Sequence, residues 1–109
     1  MKGQVLITST GGKLTGKPRP AIVVQDDGFD FSDTVIVVPL TTENAVDTSV
    51  RPLIRPDAQN GLKQPSCAMV NRIAAIKKTD ISAIAGKLSV DDMTKIDAAM
   101  SAILGLGAS

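Results

Sequence analysis

Apolar residues arrive in short bursts along most of this chain, and only after residue 89 do they spread to helical spacing. Residues 4–9, rich in Val, Ile and Thr, predict a first strand. A glycine-bearing loop follows at 11–16. Residues 21–25 form a continuously apolar run, which predicts a second strand buried on both faces. Residues 26–33 read as a turn centred on Gly28. Residues 34–40 predict a third strand, with Pro39 near its end, where a missing ladder donor is tolerated. Residues 42–48 are polar loop.

Residues 49–55 predict a weaker strand, placed at a sheet edge because Pro52 interrupts it. Asn60-Gly61 is a strong turn signal. Residues 66–70 and 72–76 read as consecutive strand segments joined by a bend, 79–83 as one helical turn, and 85–88 as a last short strand. Ser89 then predicts a helix N-cap, with Asp91 and Asp92 in the first turn, where carboxylates favour the dipole. Val90, Met93, Ile96, Met100, Ile103 and Leu104 make one apolar stripe, closed off by Gly105 and Gly107. Many short strands followed by one helix predict a mainly β fold, a small barrel with a C-terminal helix across it. A chain of 109 residues suits one domain, taken as 1–109.

Composition narrows the chemistry. Phe29 and Phe31 are the only aromatic residues, so the core rests on aliphatic side chains. The first apolar run is too short for a signal peptide, no run approaches membrane-spanning length, and the lone Cys67 has no internal disulfide partner. These features lead us to expect a cytoplasmic protein. Net charge is only +1, but the charges are segregated. Residues 1–25 carry four bases and no acid, 26–47 carry six acids and no base, and 51–79 carry six bases against Asp57 alone. Should the two basic segments meet in the fold, they would form a surface suited to phosphates; the same pattern also fits ordinary solvated charge.

The chain contains no histidine, which removes the usual acid–base residue of ribonucleases and any serine–histidine triad. One Cys without His leaves only carboxylates as metal ligands. The cluster Asp26, Asp27, Asp30 and Asp33 lacks a recognised ligand spacing and reads as a solvated turn, so neither metal nor cofactor is expected. The loop glycines with Lys17 do not form a phosphate-binding loop, because no Lys-Ser/Thr pair opens a helix there. Cationic and hydroxyl chemistry remains. Arg19 lies between Pro18 and Pro20, its backbone held on both sides, at the mouth of the second strand. Thr41 and Thr42 end the third strand. Taken alone, Arg19 reads equally well as a surface arginine in a proline-rich bend, and Thr41 as a residue satisfying backbone groups at a strand end.

Four segments together resemble the MazF/PemK family of bacterial toxins. They are Lys17-Pro18-Arg19-Pro20-Ala21-Ile22-Val23-Val24-Gln25, Val37-Val38-Pro39-Leu40-Thr41, Met69-Val70-Asn71-Arg72-Ile73, and Ile84-Ala85-Gly86-Lys87-Leu88-Ser89 before the helix. The resemblance implies an SH3-like barrel, a toxin of a type II toxin–antitoxin module, and a sequence-specific, metal-independent endoribonuclease acting on single-stranded RNA. It implies Arg19 and Thr41 as catalytic residues, and Lys17, Gln25, Thr42, Asn71 and Arg72 as RNA contacts. It also implies a homodimer and an antitoxin whose disordered tail folds onto the toxin. Many members carry an acidic residue followed by Gln where this chain has Asn71-Arg72, and Asn71 cannot take a proton. The run 36–40 equally resembles the related CcdB-type gyrase poisons, which share the fold; they use a C-terminal Trp that this chain lacks. An inactive barrel kept as a binding module is a third reading.

Overall fold

The computed structural model describes residues 1–9 and 18–106. Seven strands precede one helix: β1 (Gln4–Thr8), β2 (Arg19–Val23), β3 (Thr34–Thr41), β4 (Leu53–Ile54), β5 (Ser66–Ala68), β6 (Ala74–Lys77), β7 (Ile81–Lys87) and α1 (Val90–Leu104). They form one sheet in the order β4-β5-β3-β2-β1-β7, with β6 paired to β3 as well. Every pairing is antiparallel. This is the mainly β half-barrel with a C-terminal helix that the hydrophobic pattern predicts.

The curl has identifiable causes. The β1–β7 ladder shifts register between Val5 and Leu6 and again between Ile7 and Thr8, and such irregularities bend and twist a ladder. Strand β3 meets β2 along one edge, while its other edge is shared by β6, over Thr34 to Val37, and β5, over Leu40 and Thr41. A short 3-10 turn, Val70–Arg72, carries the chain from β5 to β6.

Side chains alternate between two cores. Val5, Ile22, Val38 and Leu40 point to the face covered by α1, meeting Ile96 and Ala99. Leu6, Ala21, Val23, Val35, Val37 and Ile76 fill the opposite face. The helix is capped as its sequence predicts: the Ser89 hydroxyl accepts the Asp92 N–H at 3.1 Å, and Gly105 takes a left-handed conformation at φ 69°. Its buried stripe is narrower than predicted. Val90, Ile103 and Leu104 are exposed, whereas Met93, Ile96, Ala99 and Met100 make the contact, so both helix ends run beyond the sheet.

Other boundaries also moved. The second strand starts at Arg19 and stops at Val23, because Thr8 offers Arg19 a ladder position. The strand expected at 49–55 shrinks to Leu53 and Ile54, although it does lie at the sheet edge. The segments at 66–70 and 72–76 contract to β5 and β6 around the 3-10 turn. The helical turn expected at 79–83 is a 3-10 turn at Lys78–Asp80, and β7 begins at once and runs for seven residues, pairing along the whole of β1. At Asn60-Gly61 the expected turn forms. Gly61 sits at φ 71°, and the buried Asn60 side chain bonds the Arg55 carbonyl and the Asp57 and Leu62 N–H groups. No helix among the described residues is long and apolar enough to cross a membrane.

Candidate functional site

An open groove of about 580 Å³ lies on the face of the sheet opposite α1. Its floor is built from alternate residues of adjacent strands: Ala21 of β2, and Val37 and Pro39 of β3. Its rim carries Thr8, Arg19, Arg72, Lys77 and Asp80. The two basic segments of the sequence therefore do converge. Arg19 comes from the first, and Arg72 and Lys77 from the second.

The local fold explains the position of Arg19. Ala21 pairs with Pro39, the last registered pair of the β2–β3 ladder. Beyond it, neither Pro20 nor Pro39 has an N–H to donate, so the ladder ends there and the strand ends are left open. Thr41 lies beyond the last registered pair, on the β5 side of β3, and does not line the groove with Arg19. On its other edge Arg19 pairs with Thr8. Arg19 is exposed, and among the described residues Arg19, Arg72 and Lys77 form no ion pair; the cations that do are the terminal amine, Lys2, Lys78 and Lys95. Three unneutralised cations around an apolar floor attract and orient an anion, and guanidinium groups match phosphate oxygens in bidentate fashion.

Thr41 is half-buried at the end of β3, opposite Cys67, and its Oγ1 accepts the Glu43 N–H at 3.1 Å. That bond fixes the hydroxyl oxygen while leaving its proton free to donate. Burial pushes the Cys67 thiol above its ordinary range, and its Sγ lies 3.4 Å from the Val46 carbonyl.

The other residues expected at the site are dispersed. Arg72 lines the groove. Asn71, beside it, is exposed and its Oδ1 accepts the Arg51 Nε–H at 3.1 Å. Asn71, next to Arg72 in sequence, thus holds a second arginine, Arg51. Thr42 lines a separate depression with Pro20, Lys63 and Ala85, not the groove. Gln25 lies just past the opposite end of β2: its Nε2 donates to the Phe29 carbonyl and its Oε1 accepts the Ile36 N–H, bracing the β2–β3 connection. Lys17 lies outside the described residues.

The acidic turn is engaged elsewhere. Asp26 caps the Gly28 N–H, Asp27 accepts from the Met1 amine and the Lys2 N–H, and Asp30 pairs with Lys78. Among the described residues no three of His, Cys, Asp and Glu are grouped so as to hold a metal ion. Sequence reasoning missed Thr8, Lys77 and Asp80 as groove residues. Lys77 was visible in the second basic segment, but Thr8 comes beside Arg19 only through the β1–β2 pairing, and Asp80 comes beside Thr8 through the β1–β7 pairing.

Comparison with known proteins gives a consistent result. The family described as PemK-like, MazF-like toxin of type II toxin–antitoxin system matches residues 2–104. The chain is 32% identical over 105 residues to a probable endoribonuclease MazF of Mycolicibacterium smegmatis, covering 96% of each protein. It is 27% identical to endoribonuclease MazF6 of Mycobacterium tuberculosis over 97 residues, covering 87% of this chain and 85% of that one. In fold it resembles an endoribonuclease solved in complex with its cognate antitoxin from mycobacterial species, with a TM-score of 0.80 at 20% identity, covering 100% of this chain and 98% of that one. It likewise resembles the M. tuberculosis toxin MazF-mt6, with a TM-score of 0.78 at 21% identity and coverage of 96% and 99%.

Proposed function

We propose that this chain, which belongs to the PemK-like, MazF-like toxins of type II toxin–antitoxin systems, is an endoribonuclease that cuts single-stranded RNA at preferred sequences without a metal ion. RNA carries its own nucleophile, the 2′-hydroxyl beside each phosphodiester. Attack by that oxygen forms the O2′–P bond, and the P–O5′ bond breaks. The products carry a 2′,3′-cyclic phosphate and a 5′-hydroxyl.

In this reading Arg19 donates to the non-bridging oxygens as negative charge builds on phosphorus, and charge stabilisation of this kind is commonly the largest catalytic contribution. The Thr41 hydroxyl donates to the same phosphate. Arg72 and Lys77 hold neighbouring phosphates, and the apolar floor accepts a base or sugar face. The complex of the mycobacterial endoribonuclease with its antitoxin supports a cognate antitoxin here, with a disordered tail that folds on binding. A homodimer whose RNA groove spans two barrels, acting in the cytoplasm, completes the proposal.

The observation that carries it is the set of three cations with no ion-pair partner among the described residues, gathered on one groove in a chain of this family. The test is incubation of the purified protein with long single-stranded RNA in excess EDTA. Discrete fragments whose new 5′ ends accept label from a kinase without prior phosphatase treatment are expected. No cleavage, or cleavage that returns only with Mg²⁺, overturns the mechanism. Growth arrest without RNA fragments would instead favour a gyrase-poison type of action.

A further inference from the structure

We infer that Asp80 is the general base of this cleavage, the carboxylate that takes the 2′-hydroxyl proton; the inference rests on the endoribonuclease reading above. The chain has no histidine, and residue 71 is an amide already engaged with Arg51. Among the described residues that line the groove, Asp80 is the only one with a carboxylate; the other charged groups among them are the cations Arg19, Arg72 and Lys77.

The backbone of Asp80 is fixed while its side chain is uncommitted. Its carbonyl accepts the Ser9 N–H at 3.2 Å. The 3-10 turn that it ends is tied at its start by the Lys78 N–H to the Asp33 carbonyl at 2.8 Å, and at its close by the Ile81 N–H to the Lys78 carbonyl. The carboxylate itself makes no ion pair among the described residues and caps nothing in its turn. It is half-buried, so its position is confined without being occupied.

Placement relative to Arg19 follows from the ladder. Thr8 is the Cα partner of Arg19 on one side and of Ile81 on the other. Two strand spacings set Arg19 and Ile81 about 10 Å apart across β1. Asp80 immediately precedes Ile81 and shares the groove with Arg19. Arg19 and Asp80 thus line one groove from the two sides of Thr8, and the proposal places one phosphodiester and its 2′-hydroxyl between them. Arg19 takes the non-bridging oxygens. Asp80 accepts the proton as O2′ bonds to phosphorus, and the departing O5′ takes a proton from water. Asp80 then returns its proton to solvent.

The test compares wild type, Asp80→Asn and Asp80→Glu in single-turnover cleavage of single-stranded RNA across pH. Asp80→Asn should lose about 100- to 10,000-fold in rate, the usual contribution of a positioned base. Its rate should also lack the acid-side fall that a carboxylate base gives wild type on this proposal, while Asp80→Glu restores part of both. Binding of an all-deoxy version of the cleaved strand, and the melting temperature, should be unchanged, since the carboxylate holds no structural partner. Asp80→Asn that cuts within about fivefold of wild type, or that keeps the acid-side fall, overturns the assignment. So does loss of deoxy-strand binding in proportion to rate. Glu43→Gln serves as a control, because Glu43 follows Thr41 closely but does not line the groove; loss of the acid-side fall there would move the base to Glu43 and also overturn it. A wild type that cuts no RNA fails the endoribonuclease reading instead, which separates the two ideas.

Discussion

The two faces of the sheet are built from the same strands yet differ in what lies over them. On the helix face, Ile22, Val38 and Leu40 meet Ile96 and Ala99, all at most 3% exposed. Two ion pairs lie on this side, Lys2 with Asp97 and Lys95 with Asp92, while Lys87 and Asp91 make none among the described residues. On the groove face, Ala21, Val23 and Val37 are just as buried, but no helix covers them. Three cations there stand without ion pairs among the described residues. Like charges held close together repel, so this grouping costs stability. A fold that covers one face with a helix and leaves cations around the open groove on the other has separated its stabilising surface from its candidate reactive one.

The contrast breaks most sharply at its two centres. Ile96→Ala should lower stability by about 2–5 kcal/mol, the usual cost of emptying a fully buried aliphatic site. Denaturant melts read this, and the folded fraction should still cut RNA at the wild-type rate. Arg19→Lys should do the converse. It keeps the charge but loses the planar fork, and a lost transition-state donor costs on the order of 100- to 1000-fold in rate. Its melting temperature should match wild type, because Arg19 is exposed and unpaired. If Arg19→Lys unfolds the protein, or Ile96→Ala abolishes the activity of molecules that remain folded, the division between the faces is wrong.

Sequence legibility followed the same division. The helix face was readable because its signals are local: Ser89, the two aspartates after it and the apolar spacing act within a few residues of one another. Even there, Val90, Ile103 and Leu104 were assigned to a stripe whose ends overhang the sheet, since periodicity does not reveal where the partner surface stops. In the groove, the proline-flanked Arg19 was legible, because proline restricts the backbone wherever it occurs, whereas Thr41 ends β3 outside the groove lining. Gln25 and Thr42, expected as RNA contacts, lie apart from that groove. Gln25 is at the far end of its strand, and Thr42 follows the turn-out of β3 into a different depression. Asp80 was invisible because only the long-range pairing of β7 with β1 brings it beside Thr8.

A smaller effect sharpens the local side of the comparison. Ser89→Ala removes the hydroxyl that accepts the Asp92 N–H and should cost about 1 kcal/mol. Cleavage should be unaffected, because the cap belongs to the helix face. A rate change larger than the stability change would show that α1 is coupled to the groove.

The smallest effect concerns Asp27, which joins the start of the chain to the β2–β3 connection and belongs to neither centre. Its carboxyl is held below the ordinary value of 3.8 by the hydrogen bond from the Met1 amine, and next by that from the Lys2 N–H, both at 2.8 Å. A carboxylate depressed in the folded state favours folding above its unfolded value, and that contribution disappears as pH falls through the folded value. Asp27→Asn should therefore lower the melting temperature slightly at neutral pH, and the gap from wild type should close in acid below 3.8. The side chain is exposed, so solvent screening keeps the gap small. Melts of both proteins across this range measure it. A gap that persists or widens in acid would mean the carboxylate does something other than receive these two protons' hydrogen bonds. A change in cleavage rate at neutral pH would mean that the β2–β3 connection, and not only the groove face, positions Arg19.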